Sequence, residues 1–115
     1  MALKRIGVKA HLSQAVIRGD TVYLSGQIAR SGETVREQTI DVLEQIDELL
    51  AEAGTDKSNL LSASIWLVDI STFNEMNDVW NDWVAPGQPP TRATVEATLA
   101  APQFLVEIMA VAAIE

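Results

Sequence analysis

An α+β domain, built as a mixed β-sheet with two helices packed on one face, is the fold class that this chain of 115 residues predicts. Three observations carry it. Val35, Thr39, Val42, Ile46, Leu49 and Ala53 recur at alternating spacings of four and three, the period of an amphipathic helix. Phe73, Met76, Trp80 and Trp83 form a second stripe of the same kind. Short β-prone runs lie before, between and after the two stripes. The length sustains one core and is short for two, so residues 1–115 are read as a single domain.

Taken in order, residues 15–18 and 22–25 are short strands flanking Gly19-Asp20, a pair suited to a tight hairpin turn. One more short strand fits near Ile6. Thr34-Val35-Arg36-Glu37 has the form of a capping box and opens the first helix, which Gly54 stops after about five turns. Residues 61–68, LSASIWLV, are the next strand. Ser71 or Thr72 caps the second helix, and Pro86-Gly87 ends it. Strands at 93–99 and 104–114 close the chain, joined by a short turn around Ala101-Pro102.

Charge and composition remove several function classes. Sixteen acidic residues against eight basic give a net charge of −8, which repels nucleic acid and anionic membrane surfaces. Cysteine is absent, so there is no disulfide framework, thiolate nucleophile or zinc-type cluster. The N-terminus has no apolar signal region and no apolar stretch is long enough to span a bilayer, so the expectation is a cytoplasmic protein. His11 is the only histidine, which excludes Cys–His catalysis and a His-rich metal site. It reads as a surface residue near the N-terminus, since no G-x-S-x-G elbow supports a triad. The six glycines form neither G-x-G-x-x-G nor a Walker pattern. No cofactor or metal is implied. Glu37, Asp41, Glu44, Asp47, Glu48 and Glu52 read as the solvated face of the first helix, and Trp66, Trp80 and Trp83 as core or interface residues.

The last strand is apolar on both faces, with Val106, Ile108, Ala110 and Ala112 on one and Leu105, Met109, Val111 and Ala113 on the other. Such strands are normally covered on both sides. Two helices on one face leave the other to a second copy of the protein, so a homo-oligomer is expected.

Between Val84 and Ile114 only Arg92, Glu96 and Glu107 are charged, and an unpaired charge in apolar surroundings demands a partner. Arginine presents a planar fork that matches a carboxylate bidentately and stays charged when partly buried, so Arg92 could dock a small carboxylic acid. Glu107 could serve as a general base for water, desolvation and a nearby Arg pulling its ionisation in opposite directions. The two could equally form a structural ion pair and nothing more.

Tyr23-Leu24-Ser25-Gly26-Gln27-Ile28, Glu52-Ala53-Gly54, Leu67-Val68-Asp69 through Phe73 to Asn77, and Pro90-Thr91-Arg92-Ala93-Thr94-Val95-Glu96 with Val106-Glu107-Ile108 together resemble the Rid (YjgF) family of reactive-intermediate deaminases. P-x-R-x-x-V-E followed by V-E-I is the most specific part. The Trp-rich second helix and the ending at 111–115 resemble the RidB branch more than RidA. The resemblance implies a chorismate-mutase-like fold, a homotrimer with clefts between subunits, and hydrolysis of enamines and imines such as 2-aminoacrylate to 2-keto acids and ammonia without a cofactor. By the same resemblance Arg92 is the substrate-carboxylate arginine and Glu107 the glutamate that positions or activates water. Ser25, Gly26 and Asn77 match cleft residues, and Thr94 stands where RidA-type members often have cysteine. Leu12 falls roughly where they have a tyrosine, a departure that bears on substrate range. A rival of another class is a non-catalytic trimer that uses Arg92 to hold a 2-keto acid or amino acid as a sensor. Ribonuclease activity fits the acidic charge poorly.

A turn at Ala101-Pro102 makes the last two strands an antiparallel hairpin, with Glu96 opposite Glu107 and Arg92 opposite Val111. Arg92 and Glu107 would then share a face but lie roughly 13 to 14 Å apart, beyond the span of one small substrate. The register therefore favours a composite site, with Arg92 from one subunit meeting Glu107 of its neighbour.

Overall fold

The computed structural model describes residues 2–115. Its elements run β1 (Leu3–Val8), β2 (Ser13–Arg18), β3 (Thr21–Leu24), β4 (Gln27–Ile28), α1 (Val35–Ala53), β5 (Leu60–Leu67), α2 (Phe73–Trp83), β6 (Thr91–Glu96) and β7 (Val106–Ala113). Seven strands form one mixed sheet in the order β1-β2-β3-β7-β5-β6, with β4 pairing β7 beyond β3. Every pairing is antiparallel except β5 with β6, which α2 joins as a βαβ unit.

The first helix follows its sequence signals closely. Thr34 is its N-cap, accepting from the Glu37 N–H at 3.1 Å, while the Glu37 carboxylate reaches back to the Glu33 N–H at 2.8 Å. At the other end Gly54 takes a left-handed φ of 91°, and its N–H and that of Thr55 close on Ala51 and Leu50, a Schellman stop. The buried stripe is wider than the spacing alone gives. Leu43 and Leu50 join Val35, Thr39, Val42 and Ile46 in the core, whereas Leu49 and Ala53 pack at its margin.

The β2–β3 hairpin turns at Gly19-Asp20, and the strand expected near Ile6 is a full edge strand, β1. At the start of α2 Thr72 is the N-cap without a side-chain bond to the helix. Asp69 instead caps the short 3-10 turn Ile70–Thr72 that leads into it. The sheet packs its helix side with Ala15, Val22, Leu24, Ala63, Ile65, Leu67, Val106, Ile108, Ala110 and Ala112 against Val42, Leu43, Ile46, Leu50, Met76 and Trp80. Among the described residues no helix is long and apolar enough to cross a membrane.

The expected hairpin between the last two strands is not formed. β5 lies between them, so Trp66 pairs with Val95 on one side and Glu107 on the other, and Ala63 pairs with Arg92 and Ala110. Residues 97–105 are a crossover rather than a tight turn. Ala97 donates to Leu67 O, Leu105 O accepts from Val68, and the buried Gln38 amide on α1 bonds Gln103 O and the Leu105 N–H at 2.9 Å each. The anticipated opposition of Glu96 and Glu107 therefore does not arise. Glu96 pairs with Leu67 and accepts from the Ile70 N–H at 2.9 Å, a structural role.

The other face of the sheet is uncovered in the chain. Across it run two cross-strand rows, Arg5, Val16, Tyr23, Val111, Ser62, Thr91 and Glu107, Trp66, Val95. Tyr23, Val95 and Met109 on this side are 51%, 49% and 39% exposed.

Candidate active site

Arg92 sits on the edge strand β6, opposite buried Ala63, and therefore points to the helix side of the sheet. Its Nη1 donates to Asn77 Oδ1 on α2 at 2.7 Å. The guanidinium carbon lies 5.5 Å from the Phe73 ring centre and 5.3 Å from that of Trp80. No carboxylate pairs with it: the ion pairs among the described residues both belong to Arg30, with Asp41 and Glu48. Burial alone pushes the Arg92 pKa below the ordinary arginine value, and the group stays charged at neutral pH. Two residues on, Thr94 shares the same side of the strand, and its buried hydroxyl has no hydrogen-bond partner among the described residues.

Glu107 belongs to the opposite side. It lies between Trp66 of β5 and Ile28 of β4, flanked along β7 by fully buried Val106 and Ile108. Its carboxylate lies against Gly26, where any Cβ would collide with it, so the glycine lets the β3–β4 connection pass close to the acid. The connection is pinned locally. The Ser25 hydroxyl donates to Ser13 O, its N–H donates to Gln14 O at 2.9 Å, and the buried Gln27 amide donates to Gln14 Oε1 and Ser25 O.

The six residues named from the sequence thus fall into two groups. Arg92, Thr94 and Asn77 gather where β6 meets α2, and Ser25, Gly26 and Glu107 gather where β4 meets β7. Contrary to the hairpin register, Arg92 and Glu107 lie on opposite faces of the sheet. They are three positions apart along β5 and two strands apart, about 10 Å in each direction. A small substrate cannot touch both within one chain.

Leu12 and His11 are exposed in the β1–β2 turn, where the Lys9 N–H donates to Leu12 O at 2.7 Å. Helix-one acids are less uniform than a solvated face: Asp41 binds Arg30 at 2.8 Å and Asp47 accepts from the Trp83 indole at 2.9 Å. The Arg30 side chain and backbone hold the Asp41 carboxyl below the usual carboxylate range. Phe73 and Trp80, which the apolar stripe of α2 assigns to the core, are neighbours of Arg92. Their spacing with Asn77, at 73, 77 and 80, is the available signal, because it places all three on one face of a helix.

The family described as Endoribonuclease L-PSP matches residues 2–114 of the chain. Among solved structures, a YjgF-family protein from Neisseria meningitidis is 46% identical, with a TM-score of 0.99 over 100% of this chain and 97% of that one. A Rid-family protein from Yersinia pestis is 29% identical, with a TM-score of 0.92 over 97% and 99% of the two chains. A RutC family protein from Haemophilus influenzae is 42% identical over 114 residues, covering 97% of this chain and 98% of that one.

Proposed function

The chain belongs to the Rid/YjgF/RutC family, also described as Endoribonuclease L-PSP, and from that premise we propose that it hydrolyses reactive imines of 2-imino acids to 2-keto acids and ammonia. Its mixed sheet with two helices is the chorismate-mutase-like fold of that family. One observation carries the activity: Arg92 is a half-buried guanidinium with no internal counter-charge, which suits a site for a substrate carboxylate. Thr94 supplies a free hydroxyl beside it.

Arg92 fixes the imino acid by its carboxylate and so places the imine carbon. Water held by Glu107 adds to that carbon of the protonated imine as the carboxylate takes a proton from the water. Glu107 returns this proton to the nitrogen of the carbinolamine. The C–N bond breaks as the carbinolamine hydroxyl gives up its own proton to the Glu107 carboxylate, and ammonia leaves a keto acid. The protein supplies orientation and one base to a reaction that already proceeds in water.

The two groups of residues meet only if the site is composite. A homotrimer with heterologous interfaces, in which one copy's Arg92 faces the next copy's Glu107, satisfies the separation and also covers the open apolar face. Within the family, the Trp-rich α2 and the 111–115 ending favour the RidB branch. The family description names an endoribonuclease, but a net charge of −8 opposes phosphate-backbone binding.

The test is a coupled assay. An amino-acid oxidase generates 2-iminopropionate and 2-iminobutyrate, and keto-acid appearance is followed with and without the protein. Faster appearance with the protein is expected. No acceleration across a broad imine panel replaces the enzyme reading with the carboxylate-binding trimer.

A further inference from the structure

We propose that Asn77, Phe73 and Trp80 are positioning residues that hold the Arg92 guanidinium by neutral contacts only, so that no carboxylate of its own subunit competes with a bound one. The inference rests on the reading of Arg92 as the carboxylate anchor.

The molecule carries its own control. Arg30, with a side chain 53% exposed, is gripped by Asp41 in two side-chain bonds of 2.8 and 3.1 Å and lies 3.6 Å from Glu48. Arg92 is the more desolvated of the two, yet it meets no carboxylate among the described residues. Solvation alone would arrange them the other way, because an unpaired charge costs more as water is withdrawn. The chain does not lack acids nearby. Helix α2 carries Glu75, Asp78 and Asp82, but the three positions that touch Arg92 are an amide and two aromatic rings.

Those groups do what a counter-ion would do without cancelling the charge. Ring quadrupoles attract a cation lying over their faces. The Asn77 oxygen accepts from one donor of the fork and fixes the guanidinium's plane. Arginine has five N–H donors, so the others remain for a ligand. An aspartate at 77 would have nearly the same shape but would place a negative charge at a 2.7 Å contact and compete with the substrate.

The measurements are the dissociation constant of 2-ketobutyrate and the KM and kcat for 2-iminobutyrate, with the thermal midpoint as a check on folding. Asn77→Asp is expected to fold with an unchanged or raised midpoint while the dissociation constant and KM rise at least tenfold and kcat falls less. Asn77→Ala should shift both by only a few fold. Trp80→Leu should raise them about five- to thirtyfold and Trp80→Phe, which keeps a ring, clearly less; Phe73→Leu with Phe73→Tyr repeats the comparison if a position-80 variant does not fold. Keto-acid binding by Asn77→Asp as tight as wild type, or losses confined to kcat, would overturn the proposal. If wild type binds no keto acid at all, the anchor reading fails and the inference falls with it.

Discussion

Arg92 lies on the edge strand with α2 packed against it, whereas Glu107 lies on the central strand with its face open and a glycine beneath it. The first region is a charge held in place by its own chain, from below and from the side. The second is a charge given room: Gly26 withdraws its side chain so that the carboxylate can occupy the space. Neither has a partner of opposite sign among the described residues, and the sheet stands between them. Two unpaired opposite charges on opposite faces are costly in isolation and complementary between copies. That contrast, more than either residue alone, favours a site assembled from two subunits.

The sharpest way to break the comparison is to remove each half separately. Glu107→Gln keeps the shape beside Gly26 but removes the base, and turnover should fall about 10²- to 10⁴-fold while 2-keto acid still binds. Arg92→Ala should reduce kcat/KM by at least about a hundredfold and abolish keto-acid binding, with the oligomer intact by sedimentation. Arg92→Lys should be nearly as damaging, since a point charge cannot replace the fork. Equal effects of both substitutions on binding would erase the division of labour, and unchanged turnover in Glu107→Gln would remove it from the mechanism.

Mixing the two variants asks whether the halves belong to one chain or two. After unfolding and joint reassembly of Arg92→Ala and Glu107→Gln subunits, random assortment around a heterologous ring leaves roughly a quarter of interfaces with both groups intact. Activity should recover to about that share of wild type. Verified mixed oligomers as inactive as either parent would place the whole site in one chain.

The sequence was most informative where structure is local. The Thr34–Glu37 capping box, the Gly54 stop and the Gly19-Asp20 turn depend on residues within a few positions of one another, and each is found where those residues imply. Strand pairing is not local. The segments holding Glu96 and Glu107 are both β-prone and only nine residues intervene, yet nothing in either says that β5 inserts between them. The misplaced hairpin put Arg92 and Glu107 on one face. The proposal of a two-copy site rests on the separation alone, because either register places the two residues beyond a small substrate's reach. β4 was missed because two residues carry no period. Among the site residues, Phe73 and Trp80 escaped because an apolar stripe looks the same whether it faces a core or a guanidinium.

The smallest expected effect falls on Thr94, which decides how far the Arg92 region extends. Its hydroxyl is buried without a partner, and a desolvated hydroxyl left unpaired costs about 1 to 3 kcal/mol. Valine keeps the branching that suits an edge strand and removes that cost. If the hydroxyl serves only a ligand, Thr94→Val should raise the melting temperature by about 4 to 12 °C and lower kcat/KM by only about three- to tenfold. The two readouts move in opposite directions because the group that penalises the free protein is the one that rewards the complex. A lower melting temperature with unchanged kinetics would mean that the assembled protein itself satisfies the hydroxyl. Thr94 would then belong to the scaffold of β6, and the Arg92 half of the site would end at the guanidinium.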